Sequence, residues 1–155
     1  MSAQAQLEAL IPVAVTLVLS GIIGLDREWR HSPAGIRTHM LVGMGAALVM
    51  VLGEQLYDAD TAARLAANVI TGIGFLGAGV IIHRKSEVHE LTTAASLWFV
   101  AIVGMVAGAR LYVLATGSTL LGALVLSVLR ALTKRDNGRA ERHDRHEKPD
   151  QRAPD

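Results

Sequence analysis

The residues best suited to chemistry in this sequence stand at the ends of apolar segments. The triplet Asp26-Arg27-Glu28 follows the first apolar segment, and Arg37-Thr38-His39 begins the second. Carboxylates are hard oxygen ligands of the kind that Mg²⁺ accepts, usually with several waters retained, so Asp26 and Glu28 are candidate metal ligands. The neighbouring arginines argue against a simple cation site and suit an anion, a lipid headgroup or a protein carboxylate equally well.

These charges also have a structural interpretation. Charged side chains at the edge of an apolar segment are costly unless they are paired. Pairing of Asp26 or Glu28 with Arg27 or Arg37 would form an ion-pair network that fixes the helix ends. The same side of the molecule is expected to carry two more polar groups: His83-Arg84-Lys85 after the third segment, and Thr92, Thr93 and Ser96 in the fourth.

Two further polar residues, Asn68 and Thr71, fall inside the third apolar segment. An Asn within a membrane usually hydrogen-bonds across helices, a bond worth about 1 kcal/mol or less. A role in transport or partner recognition is the alternative. No serine with a His/Asp partner, metal-protease helix or phosphate loop is present, which argues against an enzyme. Mg²⁺ is the one cofactor that these residues leave open.

Small residues recur four positions apart in several apolar segments. The run from Gly72 to Gly79 contains the letters of a dinucleotide-binding fingerprint, but it lacks the preceding strand and the following amphipathic helix. Stripes of small residues instead allow membrane helices to pack closely, within the chain or between subunits. A broken helix lining a site is the alternative, because glycines weaken a helix. The pairs are Gly74 and Ala78, Gly104 and Gly108, Gly43 and Ala47, and Ser20 and Gly24.

Five apolar segments must position these residues. A membrane-spanning helix needs roughly 17–25 mainly apolar residues, and the segments meet that length or come close to it. The sequence therefore predicts an all-α integral membrane protein, a compact bundle of five transmembrane helices. The first segment lacks a preceding basic region, so we do not interpret it as a signal peptide. The segments are Leu7–Leu25, Arg37–Leu52, Leu65–Ile82, Leu91–Ala109 and Leu111–Leu129.

The distribution of basic residues predicts the orientation of the bundle. With five spans, 13 basic residues fall on the side of the C-terminus and two, Arg64 and Arg110, fall on the other. Basic loops stay in the cytoplasm. We therefore expect the N-terminus outside, the C-terminus in the cytoplasm, and a multi-pass location in a bacterial inner membrane.

The composition separates the bundle from a tail. Apolar residues make up 51% of the 155 residues, and residues 134–155 hold 13 of the 29 charged ones. We therefore predict a transmembrane domain over residues 1–133 and a disordered cytoplasmic tail over 134–155. No basic face emerges outside the tail, which argues against nucleic-acid binding. The absence of cysteine excludes disulfides and thiol catalysis.

Four of these blocks together resemble the MgtC/SapB family of bacterial inner-membrane proteins. Their order along the chain is more specific than any single glycine motif. The resemblance implies a five-helix membrane domain, in agreement with the segment count. The blocks are Gly24-Leu25-Asp26-Arg27-Glu28, then residues 34–42 around Arg37-Thr38-His39, Gly72–Val80, and Leu91–Trp98.

The resemblance also implies a function and a set of residues. Family members support growth in low Mg²⁺ and, in pathogens, survival inside host cells. The best-studied members are thought to regulate other membrane proteins, including the ATP synthase. Many carry an ACT-like domain after the helices, whereas this sequence continues into its charged tail. We therefore expect a non-enzymatic regulator or accessory protein, with lipid and a second copy or another membrane protein as partners. A Mg²⁺ or other ion transporter is the alternative. The positions similar to the family's polar signature are Asp26, Arg27, Glu28, Arg37, Thr38, Asn68, Thr92, Thr93 and Ser96.

Overall fold

The computed structural model describes residues 2–81 and 90–129, and within these ranges the chain is helical and contains no strand. This confirms the all-α prediction. A π-helical turn, Val125–Leu129, follows the last α-helix along the chain. The α-helices are α1 (Ala3–Trp29), α2 (Ile36–Leu56), α3 (Ala59–Ile81), α4 (Leu91–Gly108) and α5 (Tyr112–Leu124).

Four of the five helices are suited to crossing a membrane. Helices α1 to α4 contain 27, 21, 23 and 18 residues, and each is long and apolar enough to span. Helix α5 has 13 residues, fewer than the ~20 that a span requires. Four of the predicted spans are thus confirmed by length and composition, and the fifth is shorter in the part that the structure describes.

Large apolar side chains cover the outside of the bundle. Phe75 on α3 is 82% exposed, Val113 on α5 is 89% exposed, and Leu41 on α2 is 69% exposed. Soluble monomers rarely expose continuous apolar patches above a few hundred Å². This apolar surface is therefore suited to the hydrocarbon interior of a membrane.

Helix α4 packs against α1, α2 and α3, and small residues set the separation between α2 and α4. A Cβ atom at Gly104 would collide with the carbonyl oxygen of Gly43, and one at Gly108 would lie 2.8 Å from the carbonyl oxygen of Ala47. The backbones of the two helices therefore touch, as expected for small residues at membrane helix contacts.

The stripe predicted at Gly74 and Ala78 does not pack within the bundle. A Cβ atom at Gly74 would meet no atom of residues 2–81 or 90–129 within 4 Å, and Ala78 is exposed. Helix α3 instead turns Ile73 and Gly77 inward, so the glycine stripe faces away from the other helices that the structure describes. Two other predictions, for His83-Arg84-Lys85 and for the tail, lie outside the described residues.

Candidate functional site

A cluster of polar side chains lies where α1 ends and where α2 and α4 begin. The first two helices approach closely here because Gly24 has no side chain. A Cβ atom at Gly24 would lie 2.7 Å from Cα of Ile36 and 3.0 Å from Cβ of His39. This close approach places the last turn of α1 against the first turns of α2 and α4. The side chains that meet here are called the polar cluster: Asp26, Arg27, Arg30, His39, Glu90, Thr93 and Ser96.

Arg27 links α1 to α4 at the centre of the polar cluster. It is 7% exposed, and its Nη2 donates a hydrogen bond to Oγ1 of Thr93 over 2.8 Å. The Thr93 hydroxyl in turn donates to Oε2 of Glu90 over 2.7 Å. A buried guanidinium is tolerated only where it is hydrogen-bonded and its charge is balanced, and the hydroxyl connects it to a carboxylate.

His39 makes the second link, from α2 to α4. The ring is fully buried, with Nδ1 2.8 Å from the carbonyl oxygen of Gly35 and Nε2 2.9 Å from Oγ of Ser96. A carbonyl oxygen only accepts, so Nδ1 carries a hydrogen. The Ser96 hydroxyl has one proton for two acceptors, Nε2 and the carbonyl oxygen of Thr93 at 2.8 Å. Nε2 of His39 therefore competes with the Thr93 carbonyl oxygen for the Ser96 proton when His39 is neutral, and it donates the hydrogen bond to Ser96 when His39 is charged.

Asp26 balances the arginines of α1. Its Oδ1 accepts a hydrogen bond from Nη2 of Arg30, one turn further along the helix. Its Oδ2 lies 4.0 Å from Nη1 of Arg27. With Glu90, the polar cluster contains two carboxylates and two guanidinium groups. Asp26 Oδ2 and Arg27 Nε are nevertheless buried without a hydrogen-bond partner among the described residues.

Glu28 has a structural contact of its own. Its Oε2 accepts a hydrogen bond from the backbone N–H of Ile36 over 3.0 Å, at the first residue of α2. A carboxylate at a helix N-terminus satisfies a free N–H and interacts favourably with the helix dipole. Any side chain at Gly35 would occupy the position of this carboxylate. Glu28 therefore fixes the direction in which α2 begins.

The structure brings together only part of the predicted set. Asp26, Arg27, Thr93 and Ser96 meet in the polar cluster, and Glu28 caps α2 beside it. The other predicted residues are exposed and lie outside the cluster: Arg37, Thr38 and Thr92 on the first turns of their helices, and Asn68 on α3.

Three members of the polar cluster were not in the predicted polar signature: Arg30, Glu90 and His39, the last of which stood in a triplet noted for its residue types. A signal for Arg30 was available, because Asp26 and Arg30 are four residues apart on one helix, which is the spacing of a helical ion pair. His39 stands 57 residues from Ser96, and no local pattern connects them.

The contacts of the two candidate Mg²⁺ ligands, as far as the described residues show them, are to groups of the protein itself. Asp26 faces two guanidinium groups and Glu28 binds a helix terminus, whereas Mg²⁺ requires octahedral oxygen ligands. Within residues 2–81 and 90–129, no group of three or more His, Cys, Asp or Glu residues is placed to hold a metal ion. The arrangement instead locks three helices together through charges and hydroxyls.

A bundle of apolar helices packed through small residues, with a buried polar cluster at one end, defines a multi-pass helical membrane protein. Comparison with known proteins gives the family. The chain matches the MgtC family over residues 13–135, and it belongs to that family.

Curated relatives cover most of the chain. It is 39% identical over 137 residues to a protein named "Putative magnesium transporter YhiD" from Escherichia coli K12, covering 83% of this chain and 63% of the relative. It is 40% identical over 122 residues to Protein MgtC of Brucella abortus, covering 79% and 51%. It is 37% identical over 128 residues to Protein MgtC of Salmonella typhimurium, covering 83% and 55%. The chain thus spans between half and two thirds of the length of these relatives. No solved structure matches it significantly.

Proposed function

We propose that this chain is a non-enzymatic protein of the bacterial inner membrane that regulates or assists another membrane protein in a process linked to Mg²⁺. Membership of the MgtC family supports the link, as does the name of the magnesium transporter relative. In this proposal the polar cluster holds the bundle in one conformation, and an outer helix face makes the contact with the partner.

The observation that carries the proposal is that each buried polar residue makes at least one hydrogen bond within the described part of the chain, which leaves two buried side-chain atoms there, Asp26 Oδ2 and Arg27 Nε, without a partner. Further along the bundle, the Thr16 and Ser20 hydroxyls donate to carbonyl oxygens of their own helix over 2.7 and 2.6 Å. Val100 and Val103 of α4, 0% and 2% exposed, add apolar side chains to the interior of the bundle. A conducting path needs polar groups available in line through the bilayer, whereas the Thr16 and Ser20 hydroxyls are engaged by their own helix.

The outer face of α3 is the surface that suits a partner. Asn68, Thr71, Gly72 and Phe75 are exposed there, and the Asn68 amide has no hydrogen-bond partner among the described residues. A polar side chain that faces hydrocarbon favours association with a helix that can hydrogen-bond to it. Gly72 leaves room for a close approach, because a Cβ atom there would meet nothing within 4 Å.

Growth of a deletion strain in low Mg²⁺ tests this surface. Complementation with Asn68→Leu should fail, because the change removes the amide from the contact face, while the variant still accumulates in the membrane. The matched control is Ile70→Leu, an exposed position two residues away on the same helix, which should complement fully. Full complementation by Asn68→Leu would contradict the proposed contact.

Transport is the alternative, and the relative's name favours it. Asp26 Oδ2, buried without a hydrogen-bond partner, is the atom that an ion path would use. Purified protein in liposomes containing a Mg²⁺-sensitive dye should show no flux above empty liposomes if the regulatory proposal is right. Flux that is lost in Asp26→Asn and kept in Glu8→Gln, a change at an exposed carboxylate on the opposite end of α1, would establish the transporter instead.

A further inference from the structure

The turn between α4 and α5 carries an arginine where a helix end favours glycine. The backbone N–H of Arg110 donates to the carbonyl oxygen of Ala107 over 2.9 Å, and that of Leu111 donates to Val106 over 3.1 Å. This pair of bonds defines a Schellman motif, whose left-handed position is usually glycine. Arg110 occupies it with a φ of 61°. Glycine, which has no Cβ atom, would fit this turn with less strain, so the backbone itself does not call for an arginine.

The guanidinium of Arg110 is free to bind a ligand. The residue is exposed, and among the described residues its side chain makes no ion pair or hydrogen bond. Arg64, on the first turns of α3, differs because its Nη2 donates to Oγ1 of Thr61 over 3.4 Å. Arg110 therefore presents an unbalanced positive charge where α4 ends.

An apolar groove of about 640 Å³ begins at this charge and follows α5. Arg110 and Tyr112 line one end, and Leu114, Gly117 and Leu121 continue along the helix. Positions three and four apart share one helix face. At Gly117 a Cβ atom would meet nothing within 4 Å, so the middle of the groove is open.

We propose that this groove, which we call the α5 groove, binds an anionic phospholipid, with the phosphate on Arg110 and one acyl chain along Leu114, Gly117 and Leu121. The charge is complementary, because a guanidinium binds phosphate oxygens through two parallel hydrogen bonds. Tyr112 lies at the polar end, where tyrosine is enriched at membrane interfaces. The proposal uses no residue of the polar cluster and does not depend on the proposed function.

Native mass spectrometry of the purified chain in detergent tests the α5 groove. Phosphatidylglycerol and phosphatidylcholine with identical acyl chains are the probes. The unmodified protein should retain phosphatidylglycerol more strongly. Arg110→Gln should lower that retention about fivefold, the effect of one basic residue on an anionic membrane lipid. Arg64→Gln, the matched control, should leave it unchanged. Equal retention by Arg110→Gln and the unmodified protein would overturn the proposal.

Two further variants separate lipid binding from folding and from other occupants. Arg110→Gly relieves the left-handed strain, so its unfolding temperature should be kept or raised while phosphatidylglycerol retention falls as in Arg110→Gln. Gly117→Leu fills the groove and should lower retention of both lipids. Unchanged retention in either variant overturns the proposal. The proposal would also be overturned if a second protein chain stayed bound in the lipid-free sample and Gly117→Leu released it. The occupant of the groove would then be a helix.

Discussion

Arg27 shows how this protein keeps a charge out of water at the end of a helix. Its guanidinium is held by the Thr93 hydroxyl, which also donates to Glu90, so one hydroxyl serves two charged groups. Removing a hydrogen-bond partner from a buried charged group costs more than the bond contributes, because the remaining group stays desolvated.

Thr93→Val hardly changes the shape of the side chain, but it should destabilise the bundle strongly because it removes the hydroxyl. We expect a loss of about 1–3 kcal/mol in the free energy of unfolding, measured by thermal or denaturant unfolding in detergent. Thr92→Val is the matched control: Thr92 is exposed on the same turn, and surface substitutions usually change stability by less than about 0.5 kcal/mol. Similar losses in the two variants would show that the Arg27 contact is not what stabilises this end.

Asp58 gives a second prediction at the residue scale, outside the spanning helices. The backbone N–H of Thr61 donates to its Oδ1 over 2.7 Å, and this hydrogen bond lowers the pKa of Asp58 below its ordinary value. The carboxylate thus caps the N-terminus of α3. Because the pKa is lower in the folded protein, the stabilisation is full above the unfolded-state pKa and is lost as pH falls through the folded-state value.

Unfolding temperatures of the unmodified protein and Asp58→Ala should therefore differ at neutral pH and converge in acid below both pKa values. The comparison needs a detergent whose headgroup does not titrate. Asp60→Ala, a neighbouring carboxylate in the first turn of α3, should show a smaller difference at neutral pH. A difference between Asp58→Ala and the unmodified protein that persists in acid would argue against the cap.

At the scale of helices, contact between backbones positions α4 in the bundle. Gly104 touches Gly43 of α2, whereas a Cβ atom at Gly45, two residues along α2, would meet nothing within 4 Å. The same substitution should therefore have opposite effects at the two sites. Gly45→Ala should stabilise by about 0.5–1 kcal/mol through helix propensity, and Gly104→Ala should destabilise by about 1–3 kcal/mol through overpacking.

Denaturant unfolding of the two alanine variants, side by side in one detergent, checks this pair. Loss of the α2–α4 contact should also appear as faster proteolysis of Gly104→Ala between the helices. Equal stabilisation by both changes would mean that α4 can move away from α2 at little cost, contrary to the contact seen here.

At the scale of the whole molecule, the distribution of basic residues predicts the direction of the bundle in the membrane. Because the chain contains no cysteine, single cysteines can report each side. With the N-terminus outside, Asp60→Cys should react with an impermeant maleimide in intact cells, and Ser32→Cys should react only after permeabilisation. The reverse labelling pattern would invert the predicted orientation.

The sequence determined the helices and the solvent around them, because the apolar character of ~20 successive residues is a local property. It also determined the family, through four blocks in order. The residue types alone also marked Arg27, Thr93 and Ser96 as candidate site residues. Their grouping at one end of the bundle followed from the alternation of helix direction.

Only the tertiary structure decided which of these residues meet. Arg27 and Thr93 are 66 residues apart, and their contact requires α1 and α4 to lie side by side at one height. That height depends on where glycines allow backbones to touch. Gly104 and Gly74 look alike in sequence, but among the described residues a neighbour lies against Gly104 and none lies against Gly74. Whether a small residue faces another helix or lipid depends on how the whole helix is rotated about its axis. All the contacts along the helix determine that rotation together.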